Sequence, residues 1–404
     1  MPVNLPETLP LRPIDGVRIG SVTANIRYVD RDDLVVMVFD EGTVAGGVFT
    51  QNAFQAAPVI LSRQRMGHVR GAVINSGNAN AATGDRGIED ARSYCSTLAG
   101  LLDCDESQIL PFSTGVIGEF LPMDRMNEGV RRAYESIRSD GWNDAAEAIL
   151  TTDTAPKGLS LSFDLGGEGV NATGIVKGSG MMRPDMATLL AYVATDASMT
   201  PEVANSLAFD LSERSFNRLT VDGDTSTSDS FVIFATGRSH APRIDQVGTG
   251  RYKELLDGLT PMIRELAMRI LRDAEGASKF ITVRVEGGRT AQECLTVAYT
   301  IAHSPLVKTA AFAGDPNWGR IFMAIGRAGI EDLDPSKVSL NIDDVPIARN
   351  GLVVEDYVEE RAAERMSEPE FFVQVGLGRG SAATEIWTTD LSYDYVKINA
   401  EYRT

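Results

Sequence analysis

The stretch Thr173-Gly174-Ile175-Val176-Lys177-Gly178-Ser179-Gly180-Met181-Met182-Arg183-Pro184-Asp185-Met186-Ala187-Thr188-Leu189-Leu190-Ala191-Tyr192-Val193-Ala194-Thr195-Asp196-Ala197 decides how this chain is read. An apolar run ends on a basic residue, Lys177. A flexible Gly-Ser-Gly turn and a Pro-rigidified corner follow, then a second apolar strand led by Thr188. This is not a Walker phosphate loop, because the lysine precedes the glycines and no Gly-Lys-[Ser/Thr] follows. Taken alone, the segment is a tight turn before a core strand.

Working outward, residues 159–176 alternate as paired strands around Gly166-Gly167. Further upstream, residues 34–39, 46–50 and 69–75 are short apolar runs bounded by Asp and Gly. The last of these enters the polar loop Ser76-Gly77-Asn78-Ala79-Asn80. Ile88, Ala91, Cys95, Leu98 and Leu102 recur at helical spacing over 87–102. Residues 109–115 repeat the strand-to-loop pattern, and helices are expected over 123–137 and 143–150. Beyond residue 200 helices are expected over 201–215, 252–271 and 291–302, with strands over 231–235, 280–285 and 371–375. The organisation is α/β, with no repeat, low-complexity tract, linker or composition shift.

The chain has 404 residues, enough for two or three cores. Its 56 acidic against 38 basic residues give a net charge of −18, the wrong sign for wrapping a phosphate backbone, so no nucleic-acid partner is expected. No apolar run approaches a membrane span, and the first residues lack a secretory signal, so the expectation is a cytoplasmic protein. Cys95, Cys104 and Cys294 fit neither a disulfide framework nor a Cys-rich zinc site. His68, His240 and His303 are scattered, and each reads as structural rather than as part of a Ser-His-Asp arrangement. The run 222–229 looks superficially like a calcium loop but lacks the sixth-position Gly (Thr227) and twelfth-position Glu (Ile233), leaving a structural polar turn near the site. Asp315-Pro316-Asn317-Trp318-Gly319-Arg320 reads as a turn with a buried Trp.

The Lys177–Leu190 segment resembles the K-G-[SA]-G-M-x-x-P-N-M-A-T-M-L signature of the ornithine acetyltransferase family, self-cleaving acetyl-transfer enzymes. Matching blocks recur in order: 45–50, 75–80, 113–118, 150–154, 220–227, 274–279, 315–320 and 395–399. The resemblance implies a two-lobed, layered α/β sandwich of the self-cleaving N-terminal-nucleophile type. It also implies a break between Ala187 and Thr188, giving an α segment of 1–187 and a β segment of 188–404. The Thr188 hydroxyl would attack the preceding carbonyl, and water would open the resulting ester; the attack is intramolecular, so little entropy remains to be lost. Thr188 would then be a chain start whose own amine serves as base for its hydroxyl, which makes a catalytic histidine unnecessary.

By the same resemblance, Thr114 and Gly115 stabilise the oxyanion, and Thr151, Lys177, Thr188, Glu275, Asn399 and Thr404 contact substrate. Between Thr151 and Thr152 the alternatives stay open. Lys177 is expected near an anionic substrate group and Glu275 near a cationic one. One departure stands out: Asp185 replaces the usual Asn three residues before Thr188, which is expected to slow cleavage and to favour the protonated amine. The implied activity is acetyl transfer from N2-acetyl-ornithine to glutamate through an acetyl-Thr188 ester, with acetyl-CoA as a possible second donor, no metal or organic cofactor, and an α2β2 heterotetramer. The alternatives are a related acyl amino-acid transferase or hydrolase, and a catalytically silent binding homologue.

Overall fold

Apolar runs of the first two-thirds pair as strands flanked by amphipathic helices. In chain order these are β1 (Val17–Val22), β2 (Leu34–Phe39), β3 (Val44–Phe49), α1 (Ala57–Gln64), β4 (Gly67–His68), β5 (Gly71–Asn75), α2 (Gly84–Leu102), β6 (Ile109–Ser113), α3 (Met123–Glu135) and α4 (Trp142–Ala148). Then come β7 (Lys157–Leu165), β8 (Glu168–Lys177), β9 (Leu190–Thr195), α5 (Pro201–Glu213), β10 (Ser230–Ala235) and α6 (Gly250–Arg272). The computed structural model describes residues 2–183 and 189–401. One unit comprises Glu7–Asn217 and Asp224–Ile270, and the other Met1–Pro6, Arg218–Gly223 and Leu271–Thr404.

The larger unit stacks two sheets, ordered β1-β2-β5-β6 and β4-β3-β10-β9-β8-β7. Strand β2 shows why its sequence does not alternate. Val35, Met37 and Phe39 enter the core between the sheets, whereas Leu34, Val36 and Val38 enter a second core beneath α2 and α3. Both faces are buried, so the strand reads as a continuous apolar run. Rings lock the sheets together: Phe39 stacks on Phe234 at 4.3 Å, and Phe112 meets Tyr192 edge-on at 5.0 Å. Each such side chain contributes about 1.5–3 kcal/mol by leaving water.

On the outer face of the six-stranded sheet, α5 lies so close to β3 that a Cβ at Gly46 would stand 2.1 Å from the Ala204 carbonyl carbon. Met262 and Leu266 of α6 reach Gly174 on the same sheet. The result is helix, sheet, sheet, helix, which bears out the layered α/β expectation. The Gly166-Gly167 hairpin is as expected, with both glycines at positive φ.

The smaller unit contains β11 (Phe280–Gly288), α7 (Ala291–Ala302), α8 (Pro305–Ala313), α9 (Trp318–Gly326), β12 (Ser339–Ile342), β13 (Val345–Arg349), β14 (Leu352–Val353), α10 (Glu359–Ser367), β15 (Glu370–Gly376), β16 (Ala382–Thr389) and α11 (Tyr393–Ala400). Its sheet runs β14-β13-β12-β15-β11-β16, and its core gathers Val283 and Val285 of β11 with Val297 and Ile301 of α7 and Ile321 and Ile325 of α9. Trp318 corrects an expectation. It opens α9 half-buried instead of filling a turn as a buried side chain, because Ile321 and Ile325 are the residues of that helix aimed at the core.

The chain forms two units although no composition shift marks them, since the boundary at Gly223/Asp224 falls inside the polar 222–229 turn. Cys95, Cys104 and Cys294 are free thiols, and burial pushes Cys95 up to about 12. Among the described residues no helix is long and apolar enough to cross a membrane, and no His/Cys/Asp/Glu group could hold a metal.

Candidate active site

Three strand ends meet in the larger unit. Thr114 immediately follows β6, Lys177 is the last residue of β8, and Leu190, which opens β9, pairs with Lys177. Lys177 Nζ donates to Thr114 Oγ1 at 3.1 Å and to Thr151 Oγ1 at 2.9 Å. Lys177 is 4% exposed and Thr114 7%, so a cation sits almost out of water among hydroxyls. The Thr114 backbone N–H is committed to the Asn75 carbonyl at 3.0 Å. Its hydroxyl, with a lone pair taken by Lys177, is therefore the group able to donate to a reacting oxygen.

Gly115 needs to be glycine. Its φ is +132°, and a Cβ would lie 2.2 Å from the Gly77 carbonyl carbon. The two adjacent threonines separate cleanly. Thr151 faces Lys177, whereas the Thr152 hydroxyl pairs with Ser179 at 2.6 Å.

Asp153 organises this cluster. Its Oδ1 accepts from Lys157 Nζ and from the Gly178 N–H, each at 2.7 Å, and its Oδ2 accepts from the Thr151 N–H at 3.2 Å. One carboxylate thus ties the Thr151 turn to the glycine after Lys177. Burial pushes the carboxyl up, but the Lys157 and Lys177 charges and the Gly178 N–H outweigh it and hold the group well below the usual carboxylate range.

Glu275 and Asn399 belong to the smaller unit, where Asn399 Nδ2 donates to Glu275 Oε2 at 2.8 Å and to the Tyr395 carbonyl at 3.0 Å. The Glu275 turn is clamped. Asp390 Oδ1 accepts from the Ser278 and Lys279 N–H groups at 2.8 and 3.0 Å, and the Ser392 hydroxyl donates to the Gly276 carbonyl at 2.6 Å. Gly276 has φ +65°, and a Cβ there would stand 2.3 Å from the Tyr395 nitrogen. A half-buried carboxylate braced by an amide is suited to an ammonium group. The structure thus groups Thr114, Gly115, Thr151 and Lys177 in one cluster, and Glu275 with Asn399 in another. Asp185, Ala187, Thr188 and Thr404 lie outside the described residues.

The model of the ArgJ family matches residues 18–404. The chain belongs to the ArgJ family. It is 49% identical over 405 residues to the arginine biosynthesis bifunctional protein ArgJ of Pseudomonas syringae pv. tomato, and 47% identical over 405 residues to that of Pseudomonas fluorescens, covering 100% of both chains in each case. A crystal structure of the arginine biosynthesis bifunctional protein ArgJ from Bacillus halodurans matches at 35% identity and a TM-score of 0.49, over 51% of this chain and 96% of that one.

Two further residues of this ArgJ-family chain escaped sequence reasoning. Asp153 carried a signal, sitting two residues after Thr151 where an Asp side chain can accept from nearby backbone. Asp390 carried none, since it is more than a hundred residues from the turn it clamps. His303 Nε2 meets Thr220 Oγ1 at 2.9 Å and its ring stacks on Tyr299.

Proposed function

We propose that this protein moves an acetyl group from N2-acetyl-ornithine to glutamate through an acetyl ester on Thr188, after self-cleavage between Ala187 and Thr188. The full-length family membership carries this reading, and the buried Lys177–Thr114–Thr151 cluster supports it.

In the reading, the precursor's Thr188 hydroxyl adds to the Ala187 carbonyl, the peptide nitrogen leaves as an amine, and water hydrolyses the ester. The amine then takes the hydroxyl proton as Thr188 attacks the acetyl carbonyl. Negative charge develops on the acetyl oxygen, where Thr114 and Gly115 would donate; Lys177 polarises the Thr114 hydroxyl through its lone pair. Preorganised donors of this kind are worth about 2.7–4 kcal/mol each. Ornithine leaves carrying the amine proton, glutamate enters, and the steps reverse. Glu275 with Asn399 would hold the ammonium end of ornithine, and Lys177 with Thr151 an anionic group. A site that must pair such polar ends rejects analogues lacking them.

The chemistry draws on side chains and a chain start alone, so it requires no metal or organic cofactor. Acetyl-CoA as an alternative donor, a cytoplasmic location and an α2β2 assembly of the two segments belong to the same reading. Incubation of the purified protein with N2-acetyl-ornithine, with and without glutamate or acetyl-CoA, tests it. Glutamate-dependent ornithine release is expected; glutamate-independent release would make the protein a hydrolase, and no release would favour a silent homologue.

A further inference from the structure

Helix α11 carries Asn399, yet it has only 8 residues and buries none of them. A helix this short is marginal in water by itself, so its place depends on bonds to its neighbours. Those to Gly276, Glu275 and Asp222 all lie within the smaller unit. Ser392 caps the first turn, accepting from the Tyr395 N–H at 3.2 Å and donating to the Gly276 carbonyl at 2.6 Å. Asn399, in the last turn, is bonded to Glu275. Between the two, the Tyr395 hydroxyl donates to Asp222 Oδ2 at 3.1 Å, and the Tyr395 carbonyl accepts from Asn399 Nδ2 at 3.0 Å. Asp222, the first residue of the polar 222–229 turn, stands on a fixed base. The Thr220 N–H donates to the Trp387 carbonyl of β16 at 3.0 Å, the Thr220 hydroxyl meets His303 Nε2, and Arg218 donates to the Thr384 hydroxyl at 2.6 Å.

We infer that Tyr395 is a positioning residue for the Glu275–Asn399 pair, its hydroxyl anchored on Asp222 and its carbonyl holding the Asn399 amide, and that it thereby sets the affinity for the ammonium end of N2-acetyl-ornithine. This rests on the proposed reading of Glu275 as the partner of that ammonium. The Asn399 nitrogen has two N–H groups to give; one goes to the Tyr395 carbonyl and the other to Glu275 Oε2, so Tyr395 fixes the direction of the second. With one oxygen held by Asn399, the Glu275 carboxylate is oriented in advance, and less freedom is lost when a cation arrives. The bond to Asp222 is charge-assisted and secures α11 between its cap and Asn399. Without it the pair loses its fixed geometry. The glutamate side chain carries no ammonium, so the effect is confined to the half-reaction that consumes N2-acetyl-ornithine.

Tyr395→Phe tests this, because it removes the hydroxyl and keeps the ring and the carbonyl. In the variant, kcat/KM for N2-acetyl-ornithine is expected to fall about three- to tenfold through KM, with kcat and the kcat/KM for glutamate held within about twofold. Unchanged kinetics would overturn the inference, and so would an equal loss for both substrates, the mark of a merely structural role. Asp222→Ala removes the same bond from the other side, and the same split is expected of it, which keeps the test open should Tyr395→Phe not fold. In the double variant the two losses coincide, since one interaction is removed twice; additive losses overturn the inference. Glu275→Gln isolates the underlying reading. A wild-type KM for N2-acetyl-ornithine in that variant removes Glu275 as the ammonium's partner, and the inference falls with it. A raised KM there beside an unaffected Tyr395→Phe overturns the inference alone.

Discussion

Lys177 donates to the hydroxyl of Thr114, 63 residues away in sequence, from inside a nearly water-free cluster. The bond joins the end of β8 to the turn after β6, and it gives the Thr114 hydroxyl a direction. Because the backbone N–H of Thr114 is already used, that hydroxyl is the donor the residue has left to offer in the proposed reaction.

Thr114→Ala should therefore lower kcat by about 10²–10³ with little change in KM, the signature of a group that acts on developing charge. Steady-state kinetics with N2-acetyl-ornithine and glutamate check it. A loss confined to KM would move Thr114 to ground-state binding.

Lys177→Arg should not substitute for lysine. The compact ammonium reaches both Thr114 and Thr151 within 3.1 Å from a buried position, a geometry set by a point charge and not by a planar fork. Both Lys177→Arg and Lys177→Met are expected to lose transfer by more than about tenfold. Equal activity of the arginine variant and wild type would contradict the geometry.

Asp153 links the site to acid stability. Its carboxyl is held low in the folded state, so the unfolded chain binds the proton more readily. The stabilisation is fully present above the ordinary carboxylate value and is lost as pH falls below it. Asp153→Asn should cost about 3–5 kcal/mol at neutral pH and flatten the acid side of the stability profile. Urea unfolding from pH 3 to 7 measures both effects.

Lys308 gives a pH dependence of the same sign in an alkaline window. Burial lowers it to about 8, against the pull of Asp390 and Asp222, and its ammonium bonds to the Thr389 carbonyl and the Thr388 hydroxyl. Between pH 8 and the ordinary lysine value of about 10.4 the unfolded chain binds more protons, so stability rises with pH across that window. Thermal melts of wild type and Lys308→Met at pH 8, 9 and 10 should show this rise in the wild type relative to the variant.

What the sequence disclosed follows from how the chain is buried. Strands β2, β5 and β9 are covered on both faces and read as unbroken apolar runs, and Gly166-Gly167 announced its hairpin. By contrast, α10 presents only Ala362 and Met366 to the core and is otherwise charged, so its pattern is too thin to detect alone. Strands β13 and β14 are short hairpin pieces whose pairing decides their state. At the site, Thr114, Thr151 and Lys177 were named from a resemblance, since an isolated lysine is ordinarily a solvated charge. Only the fold shows that Lys177 is buried, that Thr151 and not Thr152 faces it, and that Asp153 and Asp229 hold the backbone on either side of 184–188.

Acetyl transfer through Thr188 requires a chain break at one peptide. Intact-mass spectrometry with N-terminal sequencing of purified, catalytically active protein tests it directly. Two chains are expected, the second beginning Thr188-Leu189-Leu190, and acetylated on that residue when N2-acetyl-ornithine is added without glutamate. A fully active preparation consisting only of the 404-residue polypeptide would contradict it.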